Sequence, residues 1–136
     1  AVLGGSLYVC GGKVDNTRYS AAVERFDPAV GAWRGQPAMP RPCSHGGAAV
    51  VAGRLHICGG FDGVQYLAAV VRFCPGGAAW DALPPMSERR SHPVAASVAG
   101  RLVVCGGKGE GTLRLDSVER LDPAGGRWEP LPPMLE

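Results

Sequence analysis

The stretch "HICGGFDG", residues 56–63, is a short apolar run that stops on two glycines. One glycine would suffice for a turn. Two similar runs end the same way, "YVCGGKVD" (8–15) and "VVCGGKGE" (103–110), and all three carry a cysteine before the pair. The pairs Gly11-Gly12, Gly59-Gly60 and Gly106-Gly107 are spaced by 48 and 47 residues. Trp33, Trp80 and Trp128 are spaced by 47 and 48, and Met39, Met86 and Met134 each follow a tryptophan by six. A fixed period of this length is the mark of a repeat architecture and takes precedence over any local motif.

Working outward from the middle pair, each unit reads as four short strands. "HGGAAVV" (45–51) turns at Ala52-Gly53 into "RLHICGG" (54–60), and after a loop "AAVVRF" (68–73) turns into a strand around Trp80 that ends in "LPPM". Runs of four to seven residues, rich in Val, Ala and aromatics with turn residues between them, are strand grammar. In "DPAVG" and "DPAGG" the Asp opens a hairpin loop, the Pro fixes φ and a Gly takes the left-handed position. Ala-Gly between the first two strands departs from the Asn-Gly or Asp-Gly that a type I′ turn prefers. Strands apolar on both faces require each small sheet to be covered on both sides, which radial stacking of four-stranded sheets provides. The glycine pairs then mark points where a neighbour comes close and the chain leaves the sheet at unusual φ, with the recurring tryptophan expected to fill that space.

Composition excludes several classes. Fourteen basic against twelve acidic residues in a chain of 136 gives no charge signature for nucleic acid or a membrane surface. Twelve of the basic residues are arginine, which suits carboxylate recognition. No run of 18 apolar residues exists, and the N-terminus has no signal-peptide pattern. Five cysteines without a CxxC argue against a disulfide framework and point to a reducing, cytoplasmic compartment.

The diglycine, "VERFDP" or "VERLDP", a Trp ten residues after the Val, and "LPPM" together resemble the kelch repeat. The resemblance covers essentially the whole chain in three copies, 1–39 (its N-terminal strand incomplete), 40–86 and 87–136. "GGFDG…YLAAVVRF" and "PPMSERRSH" are most similar to the kelch-like proteins, in which a BTB domain precedes the propeller. The resemblance implies an all-β propeller segment of four-stranded blades, half of a six-bladed ring. It implies protein binding on the loop face rather than catalysis, and no cofactor. The middle unit departs from the pattern: Val71 and Cys74 stand where the other units have acidic residues, and its second loop is one residue shorter.

The resemblance makes Arg41, Ser44, His45, Arg89, Arg90, Ser91 and His92 contact candidates, because they lie where the chain enters the first strand. Arg89-Arg90 suits bidentate carboxylate binding. The alternatives are that the histidines close the strand ends and that the arginines are solvated loop charges. Tyr19, Tyr66 and Arg114 occupy equivalent places before the third strand, as binding residues or as anchors of their own loops. A Ser44-His45 dyad is set aside because neighbours on a strand point to opposite faces. No metal site is expected, since nothing matches the tyrosine ligands of the kelch-built copper oxidases. Cys10, Cys58 and Cys105 recur at one register and read as small core residues. Cys43, near Arg41 and His45, is an inert loop cysteine or a thiol activated by nearby cations. His56, in register with Tyr8 and Val103, is expected to pack between units.

The expected function is a protein-binding module with an acidic client peptide, within a substrate adaptor of a cullin-type ubiquitin ligase. The alternative is an actin-binding scaffold, and a remote one is an oxidase on the same scaffold. Three units expose the apolar faces of their terminal sheets. The expectation is therefore that further kelch blades, in cis or in trans, complete the ring.

Overall fold

The computed structural model describes residues 1–77, 79–111, 113–124 and 126–135. Among them there are twelve strands in three four-stranded antiparallel sheets. The first sheet holds β1 (Val2–Leu3), β2 (Ser6–Cys10), β3 (Val23–Asp27) and β4 (Ala32–Gln36). The second holds β5 (Gly47–Val51), β6 (Arg54–Cys58), β7 (Val70–Phe73) and β8 (Trp80–Leu83). The third holds β9 (Val94–Val98), β10 (Arg101–Cys105), β11 (Val118–Asp122) and β12 (Arg127–Leu131). Each is a meander in chain order. No helix among the described residues is long and apolar enough to cross a membrane.

Turn chemistry sets this topology. Ala52 and Gly53 have φ of 49° and 69°, and Ala99 and Gly100 have 49° and 73°. Both central residues are left-handed, as the type I′ hairpin demands, so the alanines are forced where Asn or Gly would sit at ease. The β3–β4 and β11–β12 loops close as expected: the Gly31 amide donates to Asp27 O at 2.8 Å and the Gly126 amide to Asp122 O at 3.0 Å.

The glycine pairs meet the close approaches expected of them. A Cβ on Gly11 would lie 2.1 Å from the carbonyl oxygen of Cys43, and one on Gly59 2.4 Å from that of Arg90, each in the loop leading to the next sheet. The second glycines donate across the same gap, Gly12 to Cys43 O at 2.8 Å and Gly60 to Arg90 O at 2.7 Å. The side chain filling the remaining space is methionine, not tryptophan. Met39 Cε, Met86 Cε and Met134 Cε lie 2.9, 3.3 and 2.8 Å from the Cβ positions of Gly11, Gly59 and Gly106.

The tryptophans sit on the outermost strands. Trp33 and Trp80 pair across the strands with Phe26 and Phe73 at ring separations of 5.2 Å, and Trp128 pairs with Leu121. Trp80 Nε1 donates to Pro37 O at 2.8 Å and Trp128 Nε1 to Pro84 O at 2.7 Å, so each indole clasps the preceding sheet at the rim. Trp33 is 49% exposed. Trp80 and Trp128 are half-buried and pack against the clusters between sheets, but the strand order puts them two strands away from the glycines, so they do not fill the space beside the pairs.

The core lies between sheets. Tyr8, Val23, Met39, Leu55, Ile57 and Phe73 are buried between the first two sheets, and Val51, Val70, Met86, Leu102 and Val104 between the second and third. Each such side chain contributes on the order of 1.5–3 kcal/mol of transfer free energy. His56 is buried in register with Tyr8 and Val103, as the pattern predicts. The outward faces of the flanking sheets expose Val2, Leu7 and Val9 on one side and Val94 and Val98 on the other.

Candidate functional site

Antiparallel meanders place two kinds of connection at opposite ends of each sheet. The tight β5–β6, β7–β8, β9–β10 and β11–β12 turns lie at one end. The longer β2–β3, β6–β7 and β10–β11 loops, with the β4–β5 and β8–β9 connections between sheets, lie at the other. The candidate residues gather at this second, loop end.

Its centre is a pair of histidines. His45 and His92 stack with ring centroids 4.2 Å apart and an interplanar angle of 28°. The His92 amide donates to His45 O at 2.7 Å, which joins the second and third sheets at this point. Neither residue opens a strand: β5 begins at Gly47 and β9 at Val94. Both have positive φ, 55° and 56°, a strained conformation for a residue with a Cβ. The consequence overturns the argument from strand alternation. Ser44 Oγ lies 3.0 Å from His45 Nδ1 and Ser91 Oγ 2.9 Å from His92 Nδ1. The serines themselves are buried, at 3% and 1% exposure, and orient the rings, Ser91 also lining the recess beside the stack. Burial of the ring, then the neighbouring His92 and Lys13, hold the His45 pKa below the usual imidazole value.

An aromatic row continues from this stack. Tyr19 meets Phe61 edge-on at 5.3 Å, and Phe61 meets Tyr66 edge-on at 5.7 Å. Tyr19, Tyr66 and Arg114 are structurally equivalent, since each bridges back to the residue after its diglycine: Lys13, Phe61 and Lys108. Lys13 Nζ stands 5.8 Å from the centre of the Tyr19 ring. His45, His92, Phe61, Tyr66 and Lys108 line a recess of about 230 Å³. Arg41 and Arg89, both exposed, line an adjoining recess of about 200 Å³ with Gln65 and Tyr66. Arg89 bonds Gln65 Oε1 and the Tyr66 carbonyl, which fixes its guanidinium beside the tyrosine. Burial acts to raise the Asp62 pKa, but the amides of Gln65 and Val64 and the Arg41 cation outweigh it, and the carboxyl is held below its usual range.

Arg90 does not belong to this surface. Its side chain is fully buried, paired with Glu119 at 2.9 Å, with Nη1 donating to Gly106 O at 2.9 Å and Ser117 O at 3.0 Å. Glu119 in turn accepts from the Ser87 amide and hydroxyl at 2.9 and 2.6 Å. A buried arginine with this many partners is a structural tie. Its acidic partner was visible as the Glu of "VERLDP", and the basic dipeptide therefore presents Arg89 alone.

Cys43 is the counterpart of Arg90 in the second sheet. Its Sγ lies 3.3 Å from Gly59 O, the carbonyl equivalent to Gly106 O, and it belongs to the core cluster that Val71 also packs against. This accounts for the departure at Val71: where the arginine is absent, the carboxylate is absent too. Burial pushes the Cys43 pKa up to about 11, so the thiol is not activated. Burial likewise raises Cys10 to about 11 and Cys58 to about 12, and all five cysteines are free.

Sequence reasoning passed over Lys13, Phe61 and Lys108. The signal was present, since each directly follows a diglycine and recurs with its period. Among the described residues no group of three or more His, Cys, Asp or Glu is placed to hold a metal ion.

Comparison with known proteins identifies the repeat. The Kelch motif family matches residues 1–40, 42–87 and 89–135. Kelch-like protein 33 of Homo sapiens is 38% identical over 58 residues, 43% of this chain and 11% of that protein. Kelch repeat and BTB domain-containing protein 13 of Homo sapiens is 41% identical over 54 residues, 40% of this chain and 12% of that one. Beta-scruin of Limulus polyphemus is 41% identical over 38% of this chain and 6% of its own length. These alignments thus span about a tenth or less of the relatives' lengths. In fold, the solved structure of YjhT superposes with a TM-score of 0.86 at 16% identity, the whole of this chain lying on 51% of that one.

Proposed function

Because the chain belongs to the kelch-motif family, we propose that its loop end binds a protein partner through an acidic segment, within a substrate adaptor of a cullin-type ubiquitin ligase. The observation that carries the reading is the joining of two features at one end of the sheets. A rigid aromatic floor of Phe61, Tyr66, His45 and His92 adjoins cations at Arg41, Arg89 and Lys108. Aromatic side chains give contact area at low entropic cost, and arginine gives bidentate recognition of carboxylates. Of the acidic residues nearby, Asp62 and Glu88 are engaged by loop amides and by Ser117 and Arg90, which leaves Glu110, beside Phe61 and Tyr66, as the carboxylate that opposes the cations directly. The role is one of binding without turnover, in the cytoplasm.

The adaptor reading draws support from the BTB domain in the name of one relative. A BTB domain would supply the cullin contact in the full-length protein, and this segment would hold the client. Co-purification of a cullin with the full-length protein tests that part. Binding to actin filaments without a cullin would favour the scaffold alternative.

The binding claim is tested with an acidic peptide and its amide-substituted twin. The acid form is expected to bind more tightly, to weaken as salt rises, and to lose its preference in Arg41→Glu/Arg89→Glu. An exposed control, Arg34→Glu, should change little. Equal binding of both peptides would remove the electrostatic half of the proposal.

A further inference from the structure

The turn end, opposite the face just described, holds a cleft of about 280 Å³ between the second and third sheets. Val51, Leu83, Leu102 and Leu121 line it with apolar surface. Three arginines converge on it: Arg54 and Arg101, which follow the equivalent Ala-Gly turns, and Arg72 from β7. Asp122 is the only carboxylate lining the cleft among the described residues. Arg72 Nη2 is engaged by Asp81 at 3.0 Å, yet its Nε is buried with no hydrogen-bond partner among the described residues. Arg54 and Arg101 form no salt bridge among the described residues. The buried His56 also faces the cleft, its Nδ1 held at 3.0 Å by the Arg54 carbonyl.

These facts select a ligand chemistry. The guanidinium groups of Arg54 and Arg101, which line the cleft without an ion-pair partner among the described residues, leave donors open to an acceptor. Guanidinium groups receive carboxylates in paired, charge-assisted hydrogen bonds. The apolar lining offers nothing to a small hydrated anion but rewards a hydrocarbon stem. We propose that this cleft is a second binding site, which takes a carboxylate carried on an apolar stem. Burial first, and then the cations of Arg72 and Arg54, hold His56 below the usual imidazole pKa. An anion among those arginines reverses the second influence, so His56 reports occupancy.

The chain has three histidines, and the other two form the stack at the loop end. Their imidazole resonances, assigned with His45→Asn and His92→Asn, therefore separate this site from the loop end. With 4-phenylbutyrate the account expects saturable shifts of His56, a raised His56 pKa, and unmoved His45 and His92. The neutral 4-phenylbutyramide should not bind. Arg101→Gln should weaken binding about tenfold or more, the loss of a charge-assisted hydrogen bond. Arg54→Gln is the second variant, and both leave the Arg72–Asp81 pair intact. A tripeptide Gly-Gly-Phe with a free C-terminus, set against its amide, separates a protein chain end from a small acid as the source; binding of either acid form upholds the site. No saturable His56 shift, equal binding of the amide, or equal binding of acetate would overturn the proposal, whatever the loop end binds.

Discussion

Removing Arg90 leaves Glu119, at 4% side-chain exposure, buried without its cation, and strips donors from Gly106 O and Ser117 O. Breaking one partner of a buried pair costs about 3–5 kcal/mol, much of it the desolvation of the orphaned charge. Arg90→Leu is therefore expected to lower unfolding stability by about that amount, a fall of roughly 10–17 °C in melting temperature for a chain of this size. The second sheet shows how the same place is built without ions, with Cys43 beside Gly59 O and Val71 packed against the same core cluster. Grafting that solution as Arg90→Cys/Glu119→Val should recover most of the loss, because no charge is then left buried. Urea unfolding of wild type, Arg90→Cys, Glu119→Val and the double variant gives the full cycle. Single losses under about 1 kcal/mol, or a double variant as unstable as the sum of the singles, would refute the reasoning.

The packing reassignment of the tryptophans predicts that Met86→Ala costs about 2–5 kcal/mol while the half-exposed Trp33→Ala costs less, as read from urea midpoints. The same series including Trp80→Ala should place that variant between them, since Trp80 also loses its bond to Pro37. Ala99→Asn, at φ 49°, should raise stability by up to about 1 kcal/mol by relieving the left-handed alanine. For pH, His45 and His56 both have lowered folded-state pKa values. The unfolded chain therefore binds more protons below about 6.5, and stability is full above that value and falls as pH drops through and below it. Thermal melts from pH 8 to pH 5 should show the decline, and His56→Gln should flatten it.

The fold was legible because its determinants are local and repeated. Diglycines, Asp-Pro turns and short apolar runs recur at one spacing, so each unit corroborates the others. What the sequence concealed depends on partners far along the chain. Tryptophan looked like the filler beside the glycines because it is large, but only the strand order shows that it sits two strands away and that methionine returns to the gap. Arg90 looked like a surface charge because its neighbours in sequence are Glu88 and Arg89. Its real partner, Glu119, lies 29 residues on. The histidine stack was hidden by one dihedral: at φ near 55° the residue leaves the strand, and the alternation rule no longer applies. Phe61, Lys13 and Lys108 could have been read from their register, and they complete the aromatic and cationic surface at the loop end.

The most direct test of where this protein binds its partner is a hydrogen-exchange and chemical-shift footprint of the bound acidic peptide. The account predicts that protection and shifts centre on His45, Phe61, Tyr66, His92 and Lys108 and extend to Arg41 and Arg89. A footprint confined to the β5–β6 and β9–β10 turns, with the histidine stack unperturbed, would contradict it.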